Sequence, residues 1–467
     1  MTRGSGTDRL ADWSTLACLA TLPWIGLCVA RATTGRDLGA GFQPAYLLLA
    51  VAVVASWSSG AYGKGRAAKA VPAPWIWSLA LLAILLSAVG VWRSPGLATP
   101  QEAWARYGRQ LTQWLLMSAF ALHLAVWLRG ETRWRQALIA LMAGLSFQFL
   151  YGAWQVVDFY GPGTVFAGLD SLFTSNPAVL SGSGELYLGR DFVGIPRVRG
   201  TACEPLYLGN YVLALLPWTI LLASGRRRLF WLPAAGVILL FSTWSRGAWL
   251  AVVPGIVVGL ICLRRSGGLR IAPKPWRALA GAGILVLVAY VLTDGQVFAL
   301  MAQRVRQSVN MEDWSNLTRL YSMQAAWRAF LLQPIFGIGW GQYGYHFALL
   351  VDPMGLQSQF AWPVVNNYPL AVLCETGLFG FAAFVCGMIA LAGRVWRSLA
   401  PRQVAEGRSL PIAQRRLVAA TVGVTAVWFQ LLTFSQYNLP HIWVSLGLLL
   451  AALSGGDKPS EAGEGRS

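Results

Sequence analysis

Apolar runs of helical length recur along the chain from residue 13 to residue 453, and no polar domain separates them. A membrane-spanning helix needs about 17–25 mainly apolar residues. The pattern predicts spans at Trp13–Ala30, Phe42–Ser58, Pro74–Trp92, Leu111–Leu128, Ala137–Val157 and Pro205–Ala223, then at Leu229–Trp244, Ala248–Leu263, Ala278–Leu292, Tyr368–Gly393, Leu417–Phe434 and Pro440–Leu453. Backbone polar groups in lipid must pair internally, so such runs are helices, and the short alternating segments of a membrane barrel do not match. The expected fold is all-α: a polytopic membrane protein of about twelve transmembrane helices, one membrane domain over residues 1–453 and a polar, Gly-rich tail at 454–467.

Two connecting stretches are long, about 158–204 and 293–367. Loops of that length are usually functional or disordered. In the second, Leu317, Leu320, Tyr321, Ala325, Trp327 and Leu331 have helical spacing, which predicts an amphipathic helix over 314–332. Asp313 or Ser315 caps it and Pro334 ends it.

Composition agrees with a membrane protein: 56% of the 467 residues are hydrophobic and 12% charged. The formal charge of +18 would also suit a nucleic-acid binder, but its placement argues otherwise. With the N-terminus inside, most Lys and Arg fall on inner segments, among them Lys64, Arg66, Arg133, Arg226, Arg264, Arg397 and Arg416. That is the positive-inside pattern. It predicts cytoplasmic termini and puts both long loops on the outer face. Arg3 and Arg9 before the first run imitate a signal peptide, but the run is nearer a full span than a signal core. The six cysteines form no metal-ligand pair or disulfide framework, and His123, His346 and His441 lack ligand spacing, so no metal site is expected. His346, in the outer loop, is expected to titrate near neutral pH, and His123 to be a packed core histidine. Neither a phosphate-binding nor a dinucleotide-binding glycine loop is present, so no nucleotide cofactor is expected.

The outer arginines carry the candidate chemistry. Arg197 and Arg199 close the first long loop, Arg246 sits in a tight turn between two spans, and Arg319 and Arg328 lie on the amphipathic helix. Guanidinium groups suit phosphate oxygens, and the diphosphate of a lipid carrier would lie at this depth. The competing reading is that they snorkel to headgroups or pair with acids. It is favoured for Arg304, Arg306 and Arg328, and the ligand role for Arg246, whose turn is too short to swing away. Glu204 sits at the entry of the sixth span, as candidate base or ion-pair partner, and Glu375 about two helical turns into the tenth, where the structural role is favoured.

Four stretches then define a resemblance: Arg197-Val-Arg-Gly-Thr-Ala-Cys-Glu-Pro205, Ser245-Arg-Gly247, Arg319 to Phe347 with Pro334, Gly337, Gly339, Gly341 and Tyr343, and Asn366-Asn-Tyr-Pro through Glu375-Thr-Gly377. Over residues 195–380 the chain resembles the O-antigen polymerase and O-antigen ligase superfamily, membrane glycosyltransferases using undecaprenyl-diphosphate-linked sugars. The resemblance implies a bacterial inner-membrane enzyme with a periplasmic site, no cofactor or metal, and no nucleic-acid partner. Its partners would be a lipid-linked glycan, membrane lipid and a chain-length regulator. It places Glu204, Arg246, Arg319 and Asn366 in catalysis, and Arg197, Arg199, Tyr343, Asn367 and Glu375 in substrate binding. Asn366 stands where the family usually has histidine, and asparagine cannot serve as a base. That departure favours a polymerase, with a ligase as the alternative and a lipid-linked-sugar flippase as the third reading.

Overall fold

The computed structural model describes residues 6–29, 41–63, 74–93, 99–160, 169, 172–173, 196–267, 295–307, 310, 312, 314–351, 363–399 and 410–454. In chain order the helices are α1 (Gly6–Ala20), α2 (Pro44–Ser58), α3 (Pro74–Leu86), α4 (Ala88–Trp92), α5 (Pro100–Trp127), α6 (Glu131–Tyr160), α7 (Pro205–Gly225) and α8 (Trp231–Ser242). They continue with α9 (Arg246–Arg265), α10 (Gln296–Arg306), α11 (Trp314–Leu332), α12 (Tyr343–Leu350), α13 (Tyr368–Ser398), α14 (Ile412–Gln430) and α15 (Pro440–Ser454). Among the described residues the only β-pairing is one isolated bridge between Leu27 and Phe42.

Five stretches among the described residues are long and apolar enough to cross a membrane: Pro74–Trp92, Glu131–Tyr160, Pro205–Ser224, Arg246–Arg265 and Tyr368–Ser398. Pro44–Ser58, Trp231–Ser242 and Pro440–Ser454 are shorter apolar helices. The expected span at Ala278–Leu292 lies outside the described residues, as do most of the first long loop and the tail after 454. The first expected span is helical only to Ala20. The fourth begins well before Leu111, because Thr99-Pro-Gln-Glu102 is a capping box. The Thr99 hydroxyl accepts from the Glu102 N–H, the Glu102 carboxylate accepts from the Thr99 N–H, and Pro100 occupies the first turn.

α11 spans Trp314–Leu332 as the spacing predicts, but its faces are sorted differently. Ser322, Ala325, Ala326, Ala329 and Phe330 are buried against the protein, while Leu320, Trp327, Leu331 and Leu332 are exposed. Small residues let helices approach closely, and the large side chains remain on the exposed face.

The second long stretch, helical over α10, α11 and α12, includes a glycine loop that docks into α13. α13 breaks at Gly377, whose φ of 66° and ψ of −167° are non-helical. The loop fills the break with main chain. Ile338 and Gly339 N–H donate to the Cys374 and Glu375 carbonyls at 3.0 and 3.1 Å, and Leu378 and Phe379 N–H donate to the Pro334 and Ile335 carbonyls at 2.8 and 3.2 Å. The Cys374 and Glu375 carbonyls and the Leu378 and Phe379 N–H groups, which flank the break, thus find partners without water. A Cβ on Gly337 would lie 2.4 Å from the Glu375 carbonyl carbon, and one on Gly377 would lie 2.3 Å from the Ile335 carbonyl oxygen.

The bundle has two distinct ends. At one, the starts of α2, α5, α7, α9, α13 and α15 gather around residues 431–439. The opposite end is a cationic rim: Arg133 pairs with Asp12 at 3.2 Å, Arg416 with Glu131, and Arg265 stacks 4.7 Å from the Trp396 ring centroid.

Gly337→Ala and Gly377→Ala are expected to lower the thermal midpoint of the purified protein by several degrees. Each combines a main-chain clash with left-handed backbone strain of about 1–3 kcal/mol. Gly6→Ala, with open space around its Cα, leaves the midpoint unchanged. Size-exclusion melting curves in detergent measure all three.

Candidate functional site

The segment 197–204 is fixed by two glutamines from inside α6. Gln155 Oε1 accepts from Gly200 N–H at 2.9 Å, and Gln148 Oε1 accepts from Thr201 N–H at 2.9 Å. The Gln148 amide donates back to the Thr201 hydroxyl at 2.8 Å, and that hydroxyl donates to the Pro23 carbonyl at 3.1 Å. The segment lies on the turn between α8 and α9. Val198 N–H donates to the Ser242 carbonyl at 2.9 Å and Arg197 Nε to the Thr243 carbonyl at 3.4 Å. The arginine-bearing stretch thus contacts the Ser242–Thr243 main chain that leads into Ser245-Arg-Gly247, which the sequence singled out separately. Arg199 is fully buried and Arg197 half-buried.

Among the described residues, the non-glycine positions with positive φ are Cys203 at 64° and Trp244 at 50°. Side chains with a Cβ rarely adopt that region, and such strain persists only where the surroundings enforce it. One precedes Glu204 directly; the other lies two residues before Arg246. Burial pushes the Glu204 carboxyl up to about 7, against the pull of the Arg197 guanidinium.

Main-chain contacts lead from this turn to the other candidate residues. A Cβ on Gly247 would lie 2.6 Å from the Thr433 hydroxyl. Next to Thr433, the Leu432 carbonyl accepts from the Asn367 amide at 3.2 Å, and the Leu431 carbonyl from Tyr368 N–H at 2.8 Å. Asn367 also caps α13, its Oδ1 accepting from Leu370 N–H at 2.9 Å, so both ends of its amide hold the fold. Asn366 donates from its backbone and its amide to the Ser322 hydroxyl at 3.2 and 3.3 Å, one turn along α11 from Arg319.

A polar cavity of about 210 Å³ opens at the same end. Its walls include Arg106, Gln110 and Gln113 from α5, Tyr343 and Glu375, and Gln436, Tyr437 and Asn438. Glu375 accepts from Tyr343 N–H at 3.2 Å and faces the Arg106 charge, while Arg106 Nε donates to the Gly341 carbonyl at 2.7 Å. The Tyr437 hydroxyl donates to Gln110 Oε1 at 3.0 Å. Burial raises the Tyr343 and Tyr437 phenols well above their usual range, so both stay protonated donors at physiological pH.

Sequence reasoning missed Arg106, Gln110, Gln113 and Tyr437. The i, i+4, i+7 spacing of the first three marks one polar face of a capped helix and was the available signal. Two expectations are settled by burial. His123 sits between the Thr15 and Tyr62 hydroxyls at 2.9 and 2.6 Å, a packed core histidine. His346 is buried on α12, which pushes it down to about 4, so it does not titrate near neutral pH. Arg328 donates to the Leu350 carbonyl at 2.7 Å, in line with a structural part. No group of three or more metal-ligating side chains occurs among the described residues.

No curated protein matches the chain. Residues 212–385, from α7 into α13, match a family model described as O-antigen ligase. That stretch contains Arg246, Arg319, Tyr343, Asn366, Asn367 and Glu375 and stops short of Arg197, Arg199 and Glu204. The matched domain supports membership of the O-antigen polymerase and O-antigen ligase superfamily for this chain.

Proposed function

We propose that this protein is an inner-membrane glycosyltransferase that polymerises undecaprenyl-diphosphate-linked repeat units into a surface polysaccharide at the outer face of the membrane. One observation carries the reading. The segments bearing Arg197, Arg246 and Arg319, far apart in sequence, are linked by a relay of contacts through Thr243, Thr433, Leu432, Asn367, Asn366 and Ser322.

The reaction forms a bond from an acceptor sugar hydroxyl to the anomeric carbon of the donor. The anomeric C–O bond to the diphosphate breaks, and its electron pair leaves on the diphosphate. Such a leaving group is already a good one, so anion stabilisation outweighs acid catalysis. Arg197, Arg246 and Arg319 supply fixed positive charge there, with Arg199 behind them. Glu204, with its proton affinity raised to about 7, accepts the hydroxyl proton. Buried Arg199 and the strained turns at Cys203 and Trp244 would hold that constellation in place before substrate arrives.

The ligase reading uses the same site with a different acceptor and is favoured by the description of the matching family. Polymerase is preferred because residue 366 offers an amide held by Ser322 in place of a histidine base. Loss of the gene separates the two: a missing polymerase leaves single repeat units on the lipid carrier, a missing ligase leaves long chains there.

Arg246→Ala and Arg319→Ala are each expected to cut polymer formation by about 10²–10³, the usual effect of removing one group that stabilises developing anionic charge. Protein yield in membranes stays the same. Polysaccharide ladders on gels read the result, and normal chain lengths in both variants would sink the assignment. The base role sets a pH profile. Glu204 is protonated below about 7 and cannot accept a proton, so the transfer rate rises with pH and levels off above that value. Glu204→Gln is expected to be slow at every pH, with no rise. Initial rates with reconstituted enzyme and lipid-linked glycan between pH 5.5 and 8.5, a range set about the carboxyl's value, test this.

A further inference from the structure

The polar cavity does not end at its floor. Trp340 and Tyr368 line it and also line a second, apolar cleft of about 150 Å³. This cleft lies between α3 and α13 and is backed by α14 and α15. Successive positions of α13 divide between the two spaces: Ala371 and Glu375 face the polar one, while Val372, Thr376 and Gly380 face the apolar one. From Tyr368 to Leu391 the cleft follows α13 for about 35 Å, comparable with the thickness of a bilayer's hydrocarbon core.

The polar cavity holds an unmet acceptor. The Gln436 side-chain oxygen is buried and has no hydrogen-bond partner among the described residues. A buried polar atom of this kind calls for a donor, and a sugar hydroxyl supplies one. Around it stand the Gln110, Gln113 and Asn438 amides and the ring faces of Trp340 and Tyr437, whose centroids lie 5.2 Å apart. Amides that both donate and accept, beside aromatic faces, suit a hydroxylated ring with apolar C–H faces.

A second apolar groove, between α7, α9 and α14, is larger at about 360 Å³. It reaches Ser224 and Arg415 at the opposite, cationic end and lacks a polar chamber at the site end. That groove suits an ordinary lipid acyl chain.

We propose that the cleft and the cavity together seat one lipid-linked glycan, with a single isoprenoid chain between α3 and α13 and the sugar nearest the lipid beside Gln436. The identity of the sugar-bearing lipid rests on the transferase reading. The division into an apolar channel and an amide-lined chamber rests on the walls alone. The seat lies beside the arginine cluster, so a second lipid-linked chain gripped by Arg197, Arg246 and Arg319 would meet it, as polymerisation of two lipid-borne substrates requires.

The test uses the full chain in lipid nanodiscs and bare polyprenyl diphosphate carrying a photoreactive benzophenone in its tail. Label is expected on peptides from 74–92 and 368–398. Ala383→Trp, which fills the cleft, is expected to cut labelling at least about ten-fold. Ala382→Trp, on the exposed face of the same helix, leaves it unchanged and controls for folding. In competition, lipid-linked glycan extracted from the native host is expected to displace the probe about ten-fold better than bare lipid, and Gln436→Leu to abolish that preference while keeping tail labelling. Label concentrated on 205–265 and 412–430, equal labelling in the two tryptophan variants, or an undiminished glycan preference in Gln436→Leu would each overturn the proposal. Glycosyl transfer is assayed separately in the same nanodiscs. Labelling as expected without transfer leaves the seat standing and removes the transferase reading; transfer with label elsewhere does the reverse.

Discussion

The architecture depends on one exchange of main-chain hydrogen bonds. A membrane helix cannot break without leaving carbonyls and amides unpaired in a medium with no water to replace them. α13 breaks at Gly377, and the Pro334–Gly341 loop supplies four main-chain bonds across the break. The same docking carries Tyr343 N–H to the Glu375 carboxylate, brings the Gly341 carbonyl to Arg106, and sets Trp340 between the two cavities. Because glycine alone fits at Gly337 and Gly377, the geometry of the polar chamber is tied to two positions that carry no side chain.

Polarity around α13 follows its faces. Ala371 and Glu375 border amides and phenols, while Val372, Thr376, Gly380 and Phe384 border an apolar cleft. One helix thus adjoins a water-compatible chamber on one face and a lipid-compatible cleft on another. A protein handling an amphiphile needs such a transition, since a sugar in hydrocarbon and an isoprenoid in water are both strongly disfavoured.

Much of this was legible in the chain. The period of the apolar positions and Pro334 gave α11 residue for residue, and Ser245-Arg-Gly247 falls at a junction of two helices, although Ser245 is the N-cap and Arg246 and Gly247 already belong to the first turn of α9. The pairing of the glycine loop with the α13 break was not legible, because main-chain bonds between segments forty residues apart leave no mark on side-chain pattern. Arg106 was lost to a boundary error. A hydropathy reading starts the helix at Leu111, after the last charged residue Arg109, whereas the Thr99–Glu102 box starts it in the previous turns and makes Arg106, Gln110 and Gln113 one helix face. Gln148 and Gln155 were overlooked for the opposite reason. They are isolated polar residues inside an apolar run, and only the fold reveals that they clamp Gly200 and Thr201. Asn367 was weighed for its chemistry, yet its amide is consumed by capping and by the Leu432 carbonyl.

The two clusters at the site end differ in kind, and the difference bears on mechanism. The cluster of Arg197 and Arg246 is charge-rich, rigid and held on strained turns, which suits a group that changes charge during reaction. The chamber of Gln110, Gln436 and Tyr437 is rich in neutral donors and acceptors, which suits a group that must be recognised and held without charge change. A transfer between two lipid-borne glycans places those demands on different substrates: the donor parts with its diphosphate, and the acceptor keeps its own. Residues 431–439 form a wall of the neutral chamber and, through Thr433, touch the charged turn. On the proposed reading, one short segment would set the separation between the leaving group and the attacking hydroxyl, and the packing of α13, α14 and α15 around it would matter more than any single side chain.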